Sequence, residues 1–438
     1  MNLLTVALSI ATAAFACLQF QLPAALPTLQ HSLLLTSGQT AWVLISWLLS
    51  ATATTPLITR SGDVYGKART LTWTLIIVAF GCLISALATS LEVLLLGRLI
   101  QGAGGAVLPL ALSVVHEQAA TNRRAVGHLT IAVPIGGAIG LIAAAPLLFW
   151  LGWPALFWLG AALHLIAAML VATFARSDSN CAGGHINWLS AGLLALTCVP
   201  LLLSITEASS WGWGSLLQLT VLGASLGFGF CWVLLEARSR YPIIDFRLLR
   251  RSTVWIGGLL ALLHGALAFG VWTLLPLIPQ SSFASQAGIT HSLLLMLAAT
   301  AIAGWITSHH LTDWSLKGQL LLAALASLAG GVLFQYAPAA WFLLPGPAFF
   351  GIGQGIAAVT LQVLVLGASP GHQAGGVTGF LSISRTLGGT VGAALVTAIG
   401  ITGNQASLDL KRGFMVCAGL ACISALLPLA LRSNQGAK

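Results

Sequence analysis

The chain has 438 residues, of which 58% are hydrophobic and 6% are charged, eighteen basic and nine acidic. A water-soluble domain carries about 25% charged residues, so this set cannot cover a globular surface, and soluble enzyme, disordered tail and secreted disulfide scaffold are excluded as classes. The net charge of +9 is gathered in short polar stretches between apolar runs, where it orients a membrane protein and meets anionic headgroups, so no nucleic-acid partner is expected.

A helical crossing takes about 20 apolar residues. Apolar runs fall at 2–24, 40–59, 70–89, 92–115, 126–149, 153–174, 187–206, 215–236, 253–277, 289–309, 318–336, 340–366, 374–402 and 413–431, which predicts fourteen spans. No Lys or Arg precedes the first run and no small-residue cleavage pattern follows it, so it is read as a retained span. The seven cysteines include no CxxC pair and read as small hydrophobes.

With the N-terminus in the cytoplasm, fourteen of the eighteen basic residues, among them Arg60, Lys67, Arg69, Arg123, Arg124, Arg238, Arg240 and Lys317, fall on that side. Only Lys411 and Arg412 fall outside, and Arg98 and Arg385 lie within spans. That asymmetry predicts both termini to be cytoplasmic. Trp150, Trp153, Trp211, Trp213 and Trp341 stand at predicted outer span ends, where an amphipathic ring suits the interface.

Three features recur at nearly one offset. Asp63 and Lys67 are matched 250 residues on by Asp313 and Lys317, Gln101-Gly102 is matched 253 on by Gln354-Gly355, and GGAIG (Gly136 to Gly140) is matched 252 on by GGTVG (Gly388 to Gly392). This predicts a duplicated six-span unit. Spans 1 to 6 pair with spans 9 to 14, and spans 7 and 8 are inserted between them. The division is 1–176 for the first bundle, 177–250 for the inserted helices and a basic loop, and 251–438 for the second bundle. Duplicated bundles predict a cargo site between them and rocking that alternates access.

The stretches RSGDVYGKAR (Arg60 to Arg69) and GRLIQGAGGA (Gly97 to Ala106) resemble signatures of the major facilitator superfamily, in particular its fourteen-span drug:proton antiporter branch. TAWVLISWLLSA (Thr40 to Ala51), YPIIDFRLLRRS (Tyr241 to Ser252) and SRTLGGTVGAAL (Ser384 to Leu395) resemble further stretches of that branch. The resemblance covers essentially the whole chain. It implies an all-α polytopic membrane protein with the major facilitator fold, two six-helix bundles and two central inserted helices, and a secondary transporter performing multidrug efflux as an antiporter. Three departures are visible. Thr59 stands where the loop signature opens on Gly, Leu141 follows Gly140 where the span 5 motif has Pro, and only Gln19 and Gln21 lie near Leu18, where the branch has an acid in span 1.

Asp63, placed where span 3 should begin, is expected to cap that helix. Gly66 is expected to turn the chain, with Lys67 and Arg69 left at the surface. The resemblance implies a conformational latch over Asp63, Gly66, Lys67 and Arg69, with a second copy at Asp313 and Lys317; the alternative is an ordinary positive-inside loop. Arg98 is costly inside a span and calls for a wet cavity or a partner, with Gln101 one turn away on the same face. Arg385 is the other intramembrane cation; a snorkelling side chain is the alternative for both. No carboxylate falls at mid-membrane, which leaves His264 as the candidate proton carrier, or else as a hydrogen-bonded structural histidine. Gln19, Gln21, Gln354 and Gln362 are candidates to line the cavity beside Arg98 and Gln101, or act as interhelical glue. The four-residue glycine spacings at Gly136 and Gly140 and at Gly388 and Gly392 predict close helix contact.

No cofactor, metal or nucleotide is expected: there is no GxxxxGK[ST] loop. GASPG (Gly367 to Gly371) matches GxSxG literally but lacks the strand-to-helix elbow. The expected partners are a small-molecule cargo, protons and the lipid bilayer of a bacterial inner (plasma) membrane. Three alternatives stand beside proton-coupled export: an importer or anion-linked carrier, an intramembrane enzyme, and a passive channel.

Overall fold

The computed structural model describes residues 2–118, 123–175, 185–212, 214–244, 246–249, 251–275, 286–334, 345–369, 374–400 and 410–431. In chain order the helices are α1 (Leu3–Ser32), α2 (Ser37–Tyr65), α3 (Lys67–Ala86), α4 (Leu91–Gln101), α5 (Val107–Gln118), α6 (Arg123–Leu151), α7 (Pro154–Phe174), α8 (Trp188–Thr206), the short α9 (Ala208–Trp211), α10 (Leu216–Arg238), the short α11 (Phe246–Leu249), α12 (Ser252–Leu274), α13 (Gln286–His309), α14 (Leu316–Phe334), α15 (Pro345–Leu366), α16 (Ala374–Gly400) and α17 (Leu410–Leu426). A 3-10 stretch over Gly102–Ala106 joins α4 to α5, so these two form one crossing, and among the described residues fourteen helical segments are long and apolar enough to span a bilayer.

Helix boundaries differ from the apolar runs where polar residues continue a helix. α1 runs past Pro23 and Pro27, as membrane helices tolerate proline. α2 carries on through Arg60 and Asp63 until Gly66, whose φ of 103° ends it. Span 4 changes pitch at GAGGA, where Gly102 lies against Ser50, Gly104 under the Phe15 ring and Gly105 against Thr55. Trp153, expected at the interface, is instead buried with its ring edge-on to Phe157. Trp213 and Trp341 lie outside the described residues.

The chain divides into two compact units. The first comprises Met1–Leu203, Leu216–Phe246 and Ser369–Phe380; the second comprises Ser204–Ser215, Arg247–Ala368 and Leu381–Lys438. Helix α16 thus gives its opening turns to the first unit. Within the first unit α1 packs along α6 and α3 along α7 and α4, around Leu18, Leu22, Val78, Cys82, Leu156 and Phe157. Within the second, α14 and α13 pack along α15 and α14 along α17, around Phe334, Phe350 and Phe414, the first and last stacked at 4.9 Å.

The two units use the same contacts. A Cβ at Gly136 or Gly140 would sit 2.2 Å from the Ala13 carbonyl or 2.3 Å from that of Cys17, and one at Gly388 or Gly392 would meet the carbonyls of Leu262 and Ala266 at 1.8 and 2.2 Å. Gly137 faces the Phe20 ring as Gly389 faces that of Phe269. Both glycine pairs predicted from spacing therefore do one job, bringing α6 onto α1 and α16 onto α12 at backbone contact.

Gly136→Val is expected to destabilise the protein by about 1–3 kcal/mol through overpacking, seen as a lower melting temperature after purification in detergent. Gly223→Val, at a position with nothing within 4 Å, is expected to melt like the parent.

Candidate functional site: a buried clasp and an intramembrane guanidinium

Because α2 continues to Tyr65, Asp63 lies in its last turn rather than at the start of α3, and α3 begins at Gly66 without a side-chain cap. The expected local cap is therefore corrected. The buried Asp63 carboxylate instead accepts the backbone N–H of Gly375 on Oδ1 (3.3 Å) and that of Gly376 on Oδ2 (3.2 Å), the first turn of α16, all within the first unit. A carboxylate there meets free N–H groups and the positive end of the helix dipole. Only glycine fits at 375, where a Cβ would lie 2.7 Å from Asp63 Oδ1 and 2.8 Å from the Thr59 carbonyl.

Lys67 also departs from expectation. It is 2% exposed, not at the surface, because α3 carries it under α5, where Nζ donates to Glu117 Oε2 at 3.0 Å and stands 3.9 Å from Asp63 Oδ1. The ammonium thus bridges two carboxylates, which offsets part of the cost of burying them. Arg69 is exposed, as expected. Thr378, one turn into α16, donates to the Pro109 carbonyl (3.2 Å) and lies 3.2 Å from Ser113 Oγ of α5. The departure at Thr59 has a counterpart: a Cβ at Gly379 would lie 2.6 Å from Thr59 Oγ1, so α16 has no side chain where α2 has gained one.

Among the described residues the second copy builds nothing similar. Asp313 is exposed and accepts a bond from its neighbour Thr312, while Lys317 reaches the Leu429 carbonyl at 3.4 Å.

Arg98 is fully buried in α4. Its Nε donates to the Val43 carbonyl (3.0 Å), Nη1 donates to Gln101 Oε1 (2.6 Å), and Cζ lies 5.9 Å from the centre of the Trp47 ring. Gln101 Nε2 in turn donates to the Gly81 carbonyl and Ser85 Oγ of α3 at 3.0 and 2.9 Å. The guanidinium has partners rather than a snorkelling route, but among the described residues no carboxylate is within ion-pair distance and Nη2 has no hydrogen-bond partner. The corresponding position 253 residues on is Gly351, and where Arg98 bonds the Val43 carbonyl, a Cβ at Gly351 would lie 2.4 Å from the Met296 carbonyl, also 253 on. One half inserts a charge at this depth; the other closes the gap with glycine.

In the second unit His264 is buried, with Nδ1 3.5 Å from Gln354 Nε2 and Nε2 without a hydrogen-bond partner among the described residues. The amide donating to Nδ1 leaves the ring proton of the neutral form on Nε2. Arg385 is half-buried on α16, its backbone carbonyl against Gly265. Of the other glutamines, Gln21 is buried and donates to the Leu156 carbonyl at 2.8 Å, tying α1 to α7, while its Oε1 has no hydrogen-bond partner among the described residues. Gln19 has its Nε2 unpartnered.

Sequence reasoning missed Glu117, Ser113, Thr378, Gly375, Gly376 and Trp47. Glu117 carried a signal, as one of nine acids in an apolar chain, but its partner is 50 residues away. His164 was also missed; its Nδ1 lies 2.7 Å from the Gly160 carbonyl four residues back, a helix-internal contact.

Comparison with known proteins adds to this geometry. The family model described as Major Facilitator Superfamily matches residues 7–393. The chain is 28% identical to the cephamycin export protein of Amycolatopsis lactamdurans, over 94% of this chain and 89% of that protein. It is 25% identical to the uridine/deoxyuridine transporter of Lactococcus lactis, over 90% and 86%, and 26% identical to a quinolone resistance protein of Staphylococcus aureus, over 85% and 83%. Among solved structures, the human organic anion transporter MFSD10 superposes with a TM-score of 0.72 at 15% identity, covering 97% of this chain and 98% of that one. A proton:xylose symporter superposes with a TM-score of 0.68 at 14% identity, covering 97% and 94%. The fourteen apolar helices, the glycine-paired halves and the family match lead to one conclusion: this chain is a multi-pass membrane transporter, not an enzyme, and belongs to the major facilitator superfamily.

Proposed function

We propose that the protein is a proton-coupled exporter of amphipathic organic compounds, working by alternating access, with both termini cytoplasmic in a bacterial inner membrane and with the division 1–176, 177–250 and 251–438. The single observation that carries the reading is the Asp63 clasp on the first turn of α16. A buried carboxylate held by two backbone N–H groups and one lysine is a contact that either forms whole or leaves a buried charge stranded, which suits a switch between two discrete states. In this reading Asp63, Gly66, Lys67 and Arg69 form the latch. Gln19, Arg98, Gln101, His264, Gln354 and Arg385 are the polar candidates along the cargo path, with His264 as the proton carrier. The similarity to a cephamycin export protein and a quinolone resistance protein supports efflux.

One observation favours a second reading, an anion-linked carrier without proton antiport. Arg98 lies deep in a span with no carboxylate within ion-pair distance among the described residues.

Flux into proteoliposomes of purified protein separates the two. Proton-coupled export is expected to give saturable movement of cationic or neutral amphipathic compounds, driven by an imposed pH gradient and collapsed by a protonophore. His264→Ala should abolish the gradient-driven component. Anion flux that is indifferent to the gradient would sink proton exchange.

Asp63→Asn keeps the shape and removes the charge on the α16 N-terminus. It is expected to lower the transport rate at least about tenfold, the effect of losing about one charge-assisted hydrogen bond, with normal expression in the membrane. Lys67→Met strands Glu117 and Asp63 and should cost about 3 kcal/mol or more, measured as reduced thermal stability; a melting temperature equal to the parent's would show that the ammonium is not holding them.

A further inference from the structure

The inserted helices α8 and α10 have no counterpart in the duplicated halves, yet they carry a buried carboxylate. Glu236 is 2% exposed, in the last turn of α10. Its Oε1 accepts the backbone N–H of Ile244 at 2.7 Å and its Oε2 accepts the Ser190 hydroxyl of α8. Ser190 Oγ is at the same time the acceptor for the Trp232 indole N–H at 3.1 Å, and the Trp232 ring stands edge-on to Phe246 at 5.5 Å. Asn187, which caps α8 by accepting the Ser190 N–H (3.1 Å), donates to Ser239 Oγ (3.4 Å), and Ser239 Oγ accepts the Tyr241 N–H (3.2 Å). The segment after α10 is therefore pinned at residues 239, 241, 244 and 246 by side chains of the inserted pair and of the segment itself.

What this segment touches gives the network a role. Ile243 and Ile244 are buried, and a Cβ built on Gly376 would lie 3.5 Å from the Ile243 carbonyl oxygen and 4.0 Å from Asp63 Oδ2. Gly376 thus lies against both the segment and the clasp carboxylate, and all of these residues belong to the first unit. Among the described residues no cation is paired with Glu236. A neutral side chain could fill the space at less desolvation cost, whereas a carboxylate binds both its donors more strongly than an amide or hydroxyl would.

We propose that Glu236 is a positioning residue for the transport cycle: through Ile244 it seats the 239–244 segment against Gly376, and so holds the first turn of α16 where Asp63 can grip it. The inserted helix pair is then a brace for the clasp rather than a spacer between the halves. This rests on the latch reading above, and the test separates the two.

The reporter is Ser113→Cys in full-length protein whose seven native cysteines have been replaced, reconstituted in lipid nanodiscs. Ser113 is buried beside Thr378 while the first turn of α16 is held, so the rate of modification by a membrane-impermeant maleimide reads its release. Asp63→Asn and Glu236→Ala are each expected to raise that rate about tenfold, the loss of about one charge-assisted bond. Ser190→Ala, which leaves the Ile244 anchor intact, should raise it less, and serves as the test variant if Glu236→Ala fails to fold. Parent-like modification in Glu236→Ala or Ser190→Ala alongside fast modification in Asp63→Asn overturns the brace and spares the latch. The brace also falls if the Glu236 variant melts earlier without any change in modification rate, since that marks a purely structural residue. Parent-like modification in Asp63→Asn overturns the latch, and the brace with it.

Discussion

A carboxylate removed from water must find donors, and most of what is distinctive in this protein follows from where Asp63 finds them. Its own helix cannot supply them, since Asp63 is in the final turn of α2, and α3 starts without a side-chain cap. The donors come from α16, more than 300 residues away, where two glycines leave the backbone bare enough to be approached. Lys67 completes the balance by serving Asp63 and Glu117 together. Charge, helix terminus and glycine are interdependent: without the glycine there is no approach, and without the approach the carboxylate has no reason to be buried.

A second constraint is set by hydrocarbon. Apolar side chains gain little from leaving lipid for one another, so helices in a bilayer associate by packing and polar contacts. The glycine pairs on α6 and α16 supply the packing, at backbone contact distance in both halves. Polar contacts supply the differences, with Gln21 tying α1 to α7 and the Arg98–Gln101 pair linking α4 to α2 and α3. Once the backbone contacts are shared, the two halves can diverge in chemistry while keeping one architecture.

The fold is largely legible in the residues. Fourteen apolar runs correspond to fourteen membrane helices, and four-residue glycine spacing leads directly to contact, because a helix face is a local property. Arg98 with Gln101 is legible for the same reason, three residues and one turn apart. What stays hidden is every contact whose partner is remote in the chain. A linear reading makes Asp63 the cap of the next helix because the nearest helix start is the only one it can offer. It leaves Lys67 exposed because nothing local announces Glu117, and it sees Glu236 only as an acid near a span end, since Ile244 presents to it a backbone N–H that no residue type encodes. Gln21 reads equally as cavity lining or interhelical glue, and its tie to the Leu156 carbonyl appears only once the partner's position is known.

The pairing of Arg98 with Gly351 across the repeat has a practical reach. At this position the first half holds a large polar side chain whose Nη2 has no hydrogen-bond partner among the described residues, while the second brings two helix backbones together. A substitution at 98 would therefore exchange one buried side chain for another, whereas any residue larger than glycine at 351 would have to push α15 off the backbone of α13.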